Sequence, residues 1–240
     1  LMDLYRAADI YTDIQKIFWR KISMVDGIIF DMDGVIIDSE SIHADMKIRT
    51  LTHFGIPCSM EDCVAYVGRS AKAFFTDFAK FATTPVSIQE MVDYKHRIYL
   101  EYIQESNSIY PIDGVLDLLY QLHSEGIPVA LASSADRKVI NAVLTKFGLM
   151  DCFEYILSGA ELPASKPNPA IYQLTAKALG FAPADCVVIE DATAGIMAAK
   201  DAGAYCIAYD NPNSGPQDLS RADKIVSSLY DIVVSDILQN

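Results

Sequence analysis

The chain has 240 residues, 51% of them hydrophobic and 21% charged. These are the proportions of a soluble globular protein, long enough for one substantial core or for a core with a smaller insert. With 32 acidic residues against 19 basic ones the net charge is -13, which argues against nucleic acid or an anionic membrane surface as a partner.

The longest stretch without Asp, Glu, Lys or Arg runs from Thr50 to Met60, so no membrane-spanning helix is expected. Charged residues interrupt Leu1 to Lys21 throughout, unlike a secretory signal. The five cysteines, Cys58, Cys63, Cys152, Cys186 and Cys206, are scattered and contain no Cys-x-x-Cys pair. They read as buried free thiols of a cytoplasmic protein.

In chain order, residues 1–23 form a helical extension with Leu4, Ala8, Tyr11, Ile14, Phe18 and Ile22 on one stripe. The stripe is expected to pack against its own chain, which makes a monomer the expected state. Val25 to Asp31 is an apolar run suited to a strand buried on both faces, closed by Gly34. From about His43 to Ser108 the pattern is helical and without a strand, with a capping-box spacing at Ser87-Ile88-Gln89-Glu90. An insert there hangs over the carboxyl edge of the sheet, in the position of a lid.

After the insert, short apolar runs recur at Ile127 to Ser133, Tyr155 to Ser158, Cys186 to Glu190, Ala204 to Tyr209 and, more weakly, Lys224 to Ser227. Helical spacings separate them: Val115, Leu118, Leu119 and Leu122, then Val139, Ile140, Val143, Leu144 and Phe147. Asn168-Pro169 predicts a helix with Asn as cap and Pro at its first position. Gly126, Gly148, Gly180 and Gly203 stand where these helices should stop. Strands alternating with helices imply an α/β fold with a doubly wound, Rossmann-like parallel sheet and a small helical cap. The core is assigned to 24–42 and 109–240, and the cap to 43–108.

Asp31 and Asp33 end the first strand one residue apart. Two like charges so close suggest a divalent cation such as Mg²⁺, which takes oxygen ligands and offsets carboxylate repulsion. Ser133 and Ser134 end the next strand, where hydroxyls and backbone N–H groups leading into a helix can cradle a phosphate. Lys166, before a capped helix, offers a point charge, and Glu190-Asp191 ends the Cys186 run. Singly, each has a plain structural explanation; together they fall at carboxyl ends of strands, which converge in such a sheet.

The set resembles the haloacid dehalogenase superfamily phosphatases, in the subfamily of β-phosphoglucomutase and small sugar-phosphate phosphatases. Phe30-Asp31-Met32-Asp33-Gly34-Val35-Ile36-Ile37-Asp38-Ser39-Glu40 matches the first motif; Ser133, Lys166-Pro167 and Glu190-Asp191 with Gly195 match the other three. The resemblance implies that Asp31 is the nucleophile and Asp33 the general acid and base. It also implies that Asp31, the Asp33 carbonyl, Asp191 and Glu190 hold Mg²⁺, while Ser133 and Lys166 hold phosphate oxygens. It points to Glu40, His43, Arg69 and Lys72 as cap residues that read the substrate, a small phosphorylated metabolite. Ala71 stands at the position of the mutase arginine, and Ala135-Asp136 at that of a Ser-Lys pair. Hydrolysis of a small phosphomonoester such as a sugar phosphate is therefore expected over mutase activity, for which Arg137, Arg69 or Lys72 would have to compensate. A receiver-like domain that accepts phosphate as a signal is the remaining alternative, disfavoured by the helical insert and by Asp33.

Overall fold

The computed structural model describes residues 25–64, 66 and 71–237. The expected helix over 1–23 and the cap candidate Arg69 lie outside the described residues.

Among the described residues six parallel strands form one sheet: β1 (Gly27–Phe30), β2 (Val129–Ser133), β3 (Tyr155–Ser158), β4 (Cys186–Glu190), β5 (Tyr205–Tyr209) and β6 (Lys224–Val226). Their order is β3-β2-β1-β4-β5-β6, so the sequence winds one way from β1 and then crosses back to the other side of it. Crevices at the carboxyl ends of such sheets, where the winding reverses, bind ligands. That point lies at β1, between β2 and β4.

The run Ile28-Ile29-Phe30 shows why the sheet is covered on both faces. Ile28 and Phe30 join a core with Val115, Leu118, Leu119 and Leu122 of α5 (Val115–Ser124) and Val139, Ile140, Val143 and Leu144 of α6 (Arg137–Phe147). Ile29 faces the other way, among Ile171, Tyr172 and Ala176 of α7 (Ala170–Leu179) and Ile196, Ala198 and Ala199 of α8 (Thr193–Ala202). Each isoleucine so buried contributes about 1.5–3 kcal/mol relative to exposure. The central strands accordingly read as apolar runs without alternation. A short terminal helix, α9 (Val234–Ile237), closes the first face through Val234 and Ile237.

Between β1 and α5 lie α1 (Glu40–His53), α2 (Met60–Val64), α3 (Ala71–Phe78) and α4 (Ile88–Glu105), which share a separate cluster containing Leu51, Phe74, Phe75, Phe78 and Met91. Ser87 Oγ accepts from the Glu90 N–H at 3.3 Å, as its capping spacing predicts. The chain leaves and re-enters the core along paired backbones: Ile37 bridges antiparallel to Pro111, and Ile112 N donates to Ile36 O at 2.9 Å.

Two expectations need correction. The helix expected to start at Pro169 begins at Ala170, because Asn168 Oδ1 accepts from the Ala170 N–H at 3.0 Å and leaves Pro169 in the capping turn. Cys63, Cys186 and Cys206 are buried, but Cys58 and Cys152 are partly exposed, the first on the connection between α1 and α2 and the second on that between α6 and β3, and connections run over the surface.

Candidate active site

The sheet register brings the acidic residues together before any side chain is considered. Phe30 pairs with Leu131 on one side and Ile189 on the other, so Asp31 and Glu190 are the next residues on adjacent strands. Asp31 N donates to Ile189 O at 2.9 Å, which carries the ladder one residue past the strand. Lys166 reaches in from the loop after β3. Its Nζ donates to Asp31 Oδ1 at 2.6 Å, to Glu190 Oε1 at 2.8 Å and to Ala132 O at 3.1 Å.

Burial alone would push the Lys166 ammonium toward neutrality, but Asp31 and Glu190 outweigh it and raise its pKa. Asp31 is also raised, well above the ordinary carboxylate range. Burial is the largest cause; Lys166 opposes it, and Glu190, Asp191 and Asp33 add to it.

Glu190 is fully engaged by protein donors. Oε1 accepts from Lys166 and from the Tyr172 hydroxyl at 2.8 Å, and Oε2 accepts from the backbone N–H groups of Asp191 at 2.9 Å and Ala192 at 3.0 Å. Asp191 is held differently: Ser214 Oγ donates to Oδ2, while the buried Oδ1 meets no hydrogen-bond partner among the described residues. Burial first, and Glu190 second, push Asp191 up to about 7.

A divalent cation fits this arrangement. Asp31, Glu190 and Asp191 each offer an oxygen within 4.8 Å of the others, all three buried, and the donors are the hard oxygens that Mg²⁺ prefers. The partnerless Asp191 Oδ1 is the kind of orphan that such an ion satisfies.

Asp33 faces the other way, toward the cap. Its Oδ1 accepts from Ser39 Oγ at 2.6 Å and lies 3.9 Å from His43 Nε2. Burial raises its pKa, opposed by the Ser39 hydrogen bond and by Lys95 and Lys166. His43 is held neutral, with its pKa well below the ordinary value, by burial and by Lys95, Lys47 and His96. Its Nδ1 is 3.2 Å from Lys95 Nζ. An ammonium can only donate there, so the ring proton belongs on Nε2, the side toward Asp33.

Asp33, Glu40, His43, Lys47, Lys95 and Tyr99 line a cavity of about 430 Å³ between cap and core, closed on the core side by Ser134, Ala135 and Asp136. The expected residues distribute as follows. Ser133 is fully buried, its Oγ accepting from the Ala135 N–H at 3.1 Å, and Ser134 is exposed at the cavity wall. Glu40 and His43 line the cavity. Lys72 is exposed and does not line it. Arg137 is committed elsewhere, to Glu161 through two 2.9 Å contacts and to Ile156 O at 2.9 Å, and does not line the cavity.

Sequence reasoning missed Lys95, Tyr99 and Tyr172, found nothing to single out Lys47, and read Ser214 only as part of the loop Asn211 to Pro216. That loop folds back onto the site, where Asn211 Nδ2 donates to Gly34 O at 2.9 Å.

Comparison with known proteins agrees with this geometry. The chain is 36% identical over 84% of its length to the chloroplastic protein SUPPRESSOR OF QUENCHING 1 of Arabidopsis thaliana, of which it spans 19%. It is 30% identical to hexitol phosphatase B of Escherichia coli, covering 88% of this chain and 95% of that protein. The crystal structure of β-phosphoglucomutase from Clostridium difficile superposes with a TM-score of 0.73 at 28% identity, covering 89% of this chain and 95% of that one. The family profile described as haloacid dehalogenase-like hydrolase matches residues 28–209; the chain belongs to that family.

Proposed function

We propose that the protein is a Mg²⁺-dependent phosphatase that hydrolyses small phosphomonoesters, sugar phosphates among them, through an aspartyl phosphate on Asp31. The observation that carries this reading is the division of labour between two carboxylates one residue apart. Asp31 is bound to the buried Lys166 and grouped with Asp191, while Asp33 is turned toward Ser39 and His43.

Asp31, Asp191 and Glu190 would hold the cation, together with the Asp33 carbonyl. Bound there, it would offset negative charge on the transferring phosphoryl group. Lys166 engages Asp31 Oδ1, and the second oxygen accepts no hydrogen bond from the described residues. That oxygen attacks phosphorus, and the bond from phosphorus to the ester oxygen breaks. Asp33, whose pKa burial raises, protonates the leaving oxygen. In the second half Asp33 accepts a proton from water as the water oxygen attacks phosphorus, releasing phosphate and regenerating Asp31. Ser39 fixes the Asp33 carboxyl in the direction of the cavity.

The test is phosphate release from p-nitrophenyl phosphate with and without Mg²⁺, using Asp31→Asn as the control. Turnover is expected only with metal and only in the unaltered chain. Metal-independent turnover, or full activity of Asp31→Asn, would sink the mechanism.

A further inference from the structure

The cap wall of the cavity contains two buried lysines on different helices. Lys47 of α1 is 4% exposed and Lys95 of α4 is 7% exposed. Buried ammonium groups are costly unless they are paired. Lys47 is partly served: its Nζ is 3.9 Å from Glu40 Oε1 and 5.5 Å from the Phe74 ring centroid. Lys95 makes no ion pair with a carboxylate among the described residues; it has only the His43 nitrogen and the face of Tyr99, 5.0 Å from its centroid.

The other cavity acids attract it from a distance without forming an ion pair: the Asp33 carboxylate is bonded to Ser39. The Asp136 side chain is half-exposed and lies 3.7 Å from His96. Glu40 therefore faces two ammonium groups. An independent observation points the same way: the Tyr99 hydroxyl, on a residue only 1% exposed, has no hydrogen-bond partner among the described residues. It belongs to the same cavity wall. Burial raises its pKa well above 10.0, so it is a hydroxyl donor at every working pH.

We propose, resting on the phosphatase reading above, that this cavity selects phosphomonoesters whose leaving group carries a second oxyanion, a carboxylate or another phosphate. Lys95 and Lys47 supply its counter-charge and Tyr99 a hydrogen bond, while Glu40 accepts from a hydroxyl of the same leaving group. Burial holds Lys95 at about 8, so the anion meets a cation at neutral pH. On this view Lys47 and Lys95 are specificity determinants and take no part in the chemical step.

Matched pairs of esters test the proposal with the full chain and Mg²⁺ near neutral pH. They are 6-phosphogluconate against sorbitol 6-phosphate, 2-phosphoglycolate against 2-hydroxyethyl phosphate, and fructose 1,6-bisphosphate against fructose 6-phosphate. In at least one pair the doubly anionic member should have a kcat/KM roughly tenfold or more higher, mostly through KM. The first two pairs report a carboxylate and the third a second phosphate. Lys95→Gln should bring that ratio close to equality, and Lys95→Arg should preserve most of it. No preference in any pair, while p-nitrophenyl phosphate is hydrolysed, overturns this proposal alone. A preference untouched by Lys95→Gln overturns its assignment to this cavity. Absence of Mg²⁺-dependent hydrolysis of every ester overturns the phosphatase reading and this proposal together.

Discussion

Gly195 lies directly against the Glu190 carboxylate, so close that a β-carbon at this position would overlap both of its oxygens. In an ordinary helix Gly→Ala gains about 1 kcal/mol. Here Gly195→Ala should instead lower the melting temperature, because Glu190 cannot give way without losing Lys166, Tyr172 and two backbone donors. Displacing Glu190 shifts Lys166 and Asp31 with it, and turnover of p-nitrophenyl phosphate should fall by ~100-fold. An active, equally stable Gly195→Ala protein would contradict this account.

Gly34 stands in the same relation to Asp191, with the added constraint of φ +79°. Gly34→Ala should therefore reduce Mg²⁺ binding, measured by calorimetry on the folded protein, more than it reduces helix content. A variant with unaltered metal affinity would show that Asp191 moves freely.

Removing one hydroxyl separates packing from hydrogen bonding at Glu190. Tyr172→Phe keeps the ring beneath Lys166, 5.0 Å from its Nζ, and deletes the 2.8 Å bond to Glu190 Oε1. A loss of about 1–2 kcal/mol is expected in urea unfolding, since a buried carboxylate oxygen loses one of its two donors. An unchanged midpoint would mean that this bond contributes nothing.

The raised pKa of Asp191, about 7, gives a stability dependence with a definite sign. A carboxyl whose folded pKa exceeds its unfolded value stabilises fully below the unfolded pKa, and that contribution is lost as pH rises through the folded one. Without Mg²⁺ the melting temperature should therefore decline as pH rises from about 4 to 7, with Asp31 acting in the same direction. Mg²⁺ should remove most of the decline, because it replaces the proton. Metal-free stability that rises steadily over this interval would refute the assignment.

The lysine at the cap supplies a second pH dependence. Asp33, Glu40, His43, Lys47, His96, Tyr99 and Asp136 face Lys95, and burial brings its pKa down to about 8. Preference within a matched ester pair should fall as pH rises through 8. Using the ratio cancels the titration of groups common to both esters. A ratio that rises through this range would exclude Lys95 as the anchor.

The parallel sheet was legible because runs such as Cys186 to Ile189 are uninterrupted by charged residues, the mark of a strand covered on both faces. The grouping of Asp31, Lys166 and Glu190-Asp191 was legible from their placement at strand ends. Lys47 and Lys95 were not, because a lysine on an amphipathic helix ordinarily faces water. Their burial arises only when α1 packs on α4, a relation between residues 48 positions apart. Tyr172 has the spacing of an ordinary core residue, and the 2.8 Å bond from its hydroxyl is visible only in three dimensions. Ser214 was read as part of a loop, with nothing in the sequence to bring that loop back to Asp191.

The pairing of Ile37 with Pro111 has a consequence for how such a protein can change. The chain departs from the core and returns to it through a single doorway, so the two ends that the core presents stay adjacent whatever is spliced between them. Helices can be lengthened, exchanged or rebuilt in that interval without moving the strand ends beneath. On the function proposed above, selectivity would be a replaceable cassette, and the carboxylates Asp31 and Asp33 would belong to the frame that receives it.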